Sequence, residues 1–107
     1  MLNNLKTALD STGYKFAHFG WSSEGISGDH GVYAEDSEVS LFAGNKHAET
    51  AIQGTVDYFT RDDSGTPKAT IEAALDSINI AWYLNSIQYE EDTGFIHYEW
   101  VFTDLSD

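Results

Sequence analysis

His18, His30, His47 and His97 are the residues of this chain best suited to proton transfer or metal ligation, because an imidazole titrates near neutrality and binds divalent metals through either nitrogen. Their spacing supports neither use. Two ligands on one helix face would need His-x-x-x-His, and a zinc protease His-Glu-x-x-His; the sequence contains neither. Each histidine therefore reads as a surface or sheet-face residue. The carboxylates of "RDDSG", residues 61–65, suggest a divalent cation, but the spaced oxygens of an EF-hand loop are missing and an acidic turn ahead of a helix accounts for them. Gly25, Gly28 and Gly31 recur without the Lys-Ser/Thr that completes a P-loop. Without cysteine there is no thiolate ligand, no cysteine nucleophile and no disulfide. The expectation is a protein that is not an enzyme and holds no metal and no cofactor.

Charge narrows the partners. Five Lys and Arg against eighteen Asp and Glu give a formal charge of −13, a field that repels phosphate backbones and disfavours direct nucleic-acid binding. The same acidity allows another role, a DNA mimic that occupies the basic groove of a nucleic-acid-binding enzyme. Glu35, Asp36 and Glu38 cluster, as do Glu90 to Asp92, although the second helix adds only Glu72 and Asp76. Acidic residues are scattered and aromatics make up 14%, so the composition is that of a folding chain. At 107 residues it is expected to form one domain, residues 1–107. No apolar run approaches the ~18 residues of a membrane span, and "MLNNLKTALD" lacks the basic start and apolar centre of a signal peptide, so a soluble intracellular protein is expected.

Periodicity supplies the elements. Leu2, Leu5 and Leu9 ahead of Gly13 predict a short amphipathic helix over 2–12, and "YKFAHFGW" reads as a strand with apolar bulk on both faces. Residues 20–31 form a glycine-rich loop. Residues 32–43 read as a strand with an acidic interruption at Glu35 to Glu38. Residues 51–61 read as another, with Ile52, Gly54, Val56 and Tyr58 on one side. "GNKHAE" between them is a turn or the tip of a projecting hairpin. Residues 64–79 predict a helix with Thr66 as N-cap, Pro67 at its first position and Ile71, Ala74, Leu75 and Ile78 on one stripe.

The ending "YEEDTGFIHYEWVF", residues 89–102, is the most legible stretch. Period two places Ile96, Tyr98, Trp100 and Phe102 on one face and Phe95, His97, Glu99 and Val101 on the other. A four-residue turn Glu91 to Gly94 then sets Tyr89 opposite Ile96, Ile87 opposite Tyr98, Asn85 opposite Trp100 and Tyr83 opposite Phe102, so that apolar meets apolar. A lone hairpin is marginal in water, so its apolar face needs the helices as cover. The expected fold is α+β, a mainly antiparallel sheet of four to five strands with two helices on one face and a terminal hairpin. Trp21, Ile26, Phe42 and His47 lie in or beside the segments 20–31 and 43–50, which can reach a neighbour without disturbing the sheet, and are the candidate interface residues.

The short N-terminal helix, "GTVDYFTRDD", "TPKATIEAAL" and the ending "YEEDTGFIHYEWVF" together resemble the small tail terminator (tail completion) proteins of long-tailed bacteriophages and prophages, with related folds among head-tail connector and minor tail proteins. The resemblance covers most of residues 51–105. It implies a structural protein with no catalytic residues: a homo-oligomer, commonly a hexameric ring, that caps the tail tube. Its implied partners are the tail tube protein and a head-tail connector protein. Its implied location is the virion tail, assembled in the host cytoplasm.

Overall fold

In this computed structural model the described residues are 2–19, 28–43 and 47–104, without the side chains of 39–43 and 47–50. They form, in chain order, α1 (Asn3–Ser11), β1 (Phe16–His18), β2 (His30–Ala43), β3 (His47–Thr60), α2 (Thr66–Asp76), β4 (Ile80–Glu90) and β5 (Phe95–Asp104). The strands make one five-stranded sheet in the order β1-β2-β3-β5-β4. β1 runs parallel to β2, and every other pair is antiparallel. The fold is α+β.

The leucine spacing of the N-terminus forms α1 as expected, burying Leu5, Ala8 and Leu9. It ends where Gly13 takes a φ of +78° that other residues rarely adopt. α2 starts one residue earlier than Thr66 would allow as a cap. Gly65 is its N-cap, in the left-handed region, and Thr66 is already helical with Pro67 in the first turn. Ile71 and Leu75 are buried, while Ala74 and Ile78 at the margins of the stripe are half-buried.

Pairing register explains the core. Tyr33 lies opposite Val56, Val56 opposite Trp100 and Trp100 opposite Leu84, so one row of inward positions crosses four strands. Leu5 and Leu9 of α1 and Ile71 and Leu75 of α2 belong to one buried cluster with Tyr33, Val56, Trp100 and Phe102. The Trp100 indole N–H donates to Glu72 Oε2 at 3.0 Å, so the one polar atom of a fully buried ring is satisfied from α2. Gly54 sits in the same face, where an added Cβ would lie 2.0 Å from the Ala34 carbonyl oxygen and 2.8 Å from the Phe102 ring.

The terminal hairpin holds half of its expected register. Glu91 to Gly94 form the turn, with Gly94 at φ +76°, and Tyr89↔Ile96 and Ile87↔Tyr98 pair as expected. Beyond them a bulge between Leu84 and Ser86 shifts the parity, so Trp100 faces Leu84 rather than Asn85, and Phe102 faces Trp82 rather than Tyr83. The residue that a bulge inserts sends the rest of its strand to the opposite face. Trp82, Leu84 and Ile80 thus pack against the core in the place given to Tyr83 and Asn85.

β2 and β3 are 14 residues each, longer than the rest of the sheet can cover. The expected acidic interruption is a bulge between Glu35 and Ser37 inside a continuous β2, and β2 begins at His30, within the predicted loop. β3 meets β5 from Ile52 onward, so Val39–Ala43 and His47–Ala51 pair with each other as a two-stranded ribbon running past the sheet. The molecule measures 51 × 23 × 21 Å, and strands of this length account for the long dimension at ~3.3 Å per residue.

Candidate functional site

On the sheet face turned away from the core, three strands bring histidines and phenylalanines into a stack. His30 of β2 pairs with Phe59 of β3, and Phe59 with His97 of β5. Phe59 stacks on His30 at 4.8 Å and on His97 at 4.2 Å. Phe95 meets His30 and Phe59 edge-on, and the Arg61 guanidinium lies 4.0 Å above the Phe95 ring. Phe95, assigned to the outer set by alternation, is therefore buried to 2% exposure. The histidines that stand apart in the sequence are joined here by strand pairing.

His97 is held between carboxylates. Its Nε2 lies 2.7 Å from Asp57 Oδ1 and its Nδ1 3.9 Å from Glu90 Oε2. The hydrogen bond to Asp57 raises the His97 pKa above the usual imidazole value. Burial opposes this, while the charges of Asp57, Glu90 and Glu99 add to it. An Asp–His pair can orient a general base, but that use needs the second ring nitrogen to face a nucleophile. Here both nitrogens face carboxylates, which favour the protonated ring over the neutral one. His30 Nδ1 lies 2.8 Å from the Gly28 carbonyl oxygen, which it can reach only as a donor. No group of three or more His, Cys, Asp or Glu suited to a metal ion occurs among the described residues.

The acidic turn after β3 is tied up locally. Asp29 accepts from the Thr60 hydroxyl at 2.6 Å and from the Arg61 backbone N–H at 3.2 Å. Asp62 accepts from the Ser64 N–H at 2.8 Å, and hydrogen bonding from the Ser64 side chain and then its backbone holds the Asp62 pKa below the usual carboxylate value. Arg61 Nε donates to the Thr93 carbonyl oxygen at 2.9 Å, linking this turn to the terminal hairpin.

A pocket of about 180 Å³ lies beside α1 and β1, lined by Leu2, Asn3, Lys6, His18, Tyr33 and Glu35. It is smaller than the ~300 Å³ at which small-molecule sites begin. His18 stacks on Tyr33 at 4.9 Å and hydrogen-bonds Glu35. Burial pushes the Glu35 pKa up, but the His18 hydrogen bond, a backbone hydrogen bond and the His18 charge together bring it below the usual value.

The sheet edges differ in kind from all of these. β4 is an edge strand, and from Ser77 to Tyr89 no residue carries a charge, the longest such run in the chain. Tyr83, Ile87 and Tyr89 on it are 57, 54 and 66% exposed. Alternation alone placed all three on the core face. The bulge turns Tyr83 outward, whereas Ile87 and Tyr89 keep the parity of the core face yet are not covered. The uncharged run was the signal available in the sequence, since an edge strand in so acidic a protein would ordinarily carry charges against unwanted pairing.

Of the candidate interface residues, Trp21 and Ile26 lie outside the described residues. Phe42 and His47 lie in the two-stranded ribbon, near the end of β2 and the start of β3, paired with Ala48 and Ala43. The structure brings neither of them to the edge of β4. No protein-family model matches the chain, and no curated protein sequence matches it either.

Proposed function

We propose that this protein is a structural tail protein of a long-tailed bacteriophage or prophage, a tail terminator whose subunits form a ring that caps the tail tube and joins it to the head. The observation that carries the reading is the uncharged edge of β4, with Tyr83, Ile87 and Tyr89 exposed on a chain of formal charge −13. Large exposed apolar side chains beside unpaired backbone suit protein contact rather than turnover. The resemblance of the α2 segment and the terminal hairpin to tail terminators supplies the kind of contact: subunit to subunit within a ring, and ring to tail tube and connector.

Deleting the gene from the phage or prophage that carries it should leave heads intact and tails without length control, because nothing stops growth at the last heterologous interface. Electron microscopy of the lysate reads the result. Tails of normal length joined to heads would reject the terminator reading. Inhibition of a nuclease by the purified protein would then favour the acidic mimic.

A further inference from the structure

We infer that the free edge of β4 takes up an extended segment of a partner protein as an added antiparallel strand, with apolar residues at alternate positions and Lys or Arg at the end beside the terminal turn. This deepens the reading above by naming the chemistry of the partner at β4; it rests on protein contact at that edge and not on the closing of a ring.

β4 pairs with β5 on one side and, among the described residues, with no strand on the other. Covalent reach keeps the stretch from Ser86 to Tyr89 open. Asp104 stands opposite Ile80, so the residues after it extend about 10 Å, while Ser86 lies roughly 16 Å from Ile80 along β4. The chain from Phe19 to Gly28 is anchored beside β1 and β2. A path from there to the outer side of β4 and back needs about nine strand spacings, roughly 43 Å, more than the ~32 Å its Cα steps extend. Ala43 and His47 pair beyond Ile52, at the end of the sheet away from Tyr89.

Past the bulge at Asn85, Ser86–Glu90 pair regularly with β5, so every second residue turns its N–H and C=O toward the open side. Ile87 and Tyr89 share one face of this stretch and are exposed, while Ser86 and Gln88 share the other. An added strand therefore meets apolar side chains at alternate positions and polar ones between them.

Charge decides among occupants. The open stretch is neutral, but it ends at Glu90, Glu91 and Asp92, and Glu99 stands opposite Ser86. Arg61 offsets one of these charges, its guanidinium lying over Phe95 and its Nε donating to the Thr93 carbonyl oxygen. Two β4 edges paired antiparallel about Ser86 would set the 90–92 carboxylates of each copy against the Ile80–Trp82 end of the other, where Asp76 accepts from the Trp82 indole. Pairing about Tyr89 would set the two acidic turns side by side. Either way carboxylates gather on copies that each carry −13. A partner strand with cations at one end meets the same carboxylates with attraction. Running antiparallel to β4, it begins beside Glu90, so its cations precede its apolar residues.

The full chain is titrated with a fluorescent, end-capped peptide, Lys-Arg-Lys-Val-Thr-Val-Thr-Val, and binding is read by anisotropy. Binding is expected to weaken about tenfold or more when the peptide's Val residues become Gly, when its Lys and Arg become Glu, or when the protein carries Ile87→Lys. Ile87 is exposed, so that variant should keep its melting temperature. Hydrogen exchange followed by NMR should show alternate amides between Ser86 and Glu90 gaining protection on binding. No binding, equal binding by the glycine peptide, or protection gained elsewhere would each overturn the inference. So would a dimer of the free protein, seen in sedimentation with these amides already protected, which would make the occupant a second copy. Gene deletion separates the two readings. Normal tails together with peptide binding at β4 would reject the tail reading alone, and tails without length control together with no peptide binding would reject this inference alone.

Discussion

The two faces of the sheet are built from similar residue types and stabilised in different ways. On the core face Trp100, Tyr58 and Phe102 are almost fully buried beside helix residues, and Glu72 meets the one exposed need of the Trp100 ring, its N–H. On the other face His30, Phe59, Phe95 and His97 stack on one another with Arg61 above them and carboxylates around them. The first face gains from apolar area removed from water, the second from ring geometry and charge pairs in a partly wet setting. The comparison shows why periodicity misjudges the second face. Alternation marks a position as outward, but it cannot say that an outward phenylalanine will find two histidines from other strands to lie against.

The comparison breaks most easily at Trp100. Trp100→Ala removes a fully buried ring and leaves the Glu72 carboxylate without its indole donor, so a loss of about 3–5 kcal/mol is expected, read as a large fall in thermal midpoint. An unchanged midpoint would mean that the face is not the core. Gly54→Ala, on the same face, places a methyl against the Ala34 carbonyl and the Phe102 ring. Backbone cannot move aside cheaply, and a cost of about 3 kcal/mol is expected in denaturant titration. Gly31→Ala serves as the control. Its added methyl meets a side chain rather than backbone, the edge of the Phe16 ring at 2.2 Å, and that ring must shift against Tyr58 to make room, so a cost smaller than at Gly54 is expected.

Phe59→Ala tests the second face. The ring is half-buried and stacks on both histidines, so roughly 2 kcal/mol should be lost, less than at Trp100. A loss equal to that of Trp100→Ala would erase the distinction between the faces.

The smallest effect concerns His97. Its folded pKa lies above the ordinary value of 6.5, so the pair with Asp57 contributes fully below that value and fades as pH rises through the folded pKa. Asp57→Asn should therefore lower the melting temperature more at pH 5.5 than at pH 8.5. The difference between wild type and variant at each pH isolates this pair from the many other carboxylates. A variant that costs more at the higher pH would reverse the sign and reject the ion pair.

Much of the fold was legible where the deciding interactions are local. Leu5 and Leu9 one helical turn apart made α1, Ile71 and Leu75 made the buried stripe of α2, and Gly94 made the four-residue turn. The first two pairs beyond that turn, Tyr89 with Ile96 and Ile87 with Tyr98, followed because a turn sets register for the residues next to it. Thr66, a threonine before a proline, carries the usual N-cap signature without being the cap. The left-handed Gly65 instead turns the chain one residue earlier.

Tertiary structure decided the rest. The bulge at Asn85 keeps Trp82 and Leu84 under cover and turns Tyr83 outward, a choice between two apolar faces that no residue within the strand specifies. The pairing of β3 with β5 joins Asp57 to His97 and Phe59 to its two histidines across a wide gap in sequence, and spacing along a single strand carries no trace of it. Exposure of Ile87 and Tyr89 has the same origin. Their alternation is that of core residues, and only the placement of the helices over the sheet determines how far along β4 the cover extends.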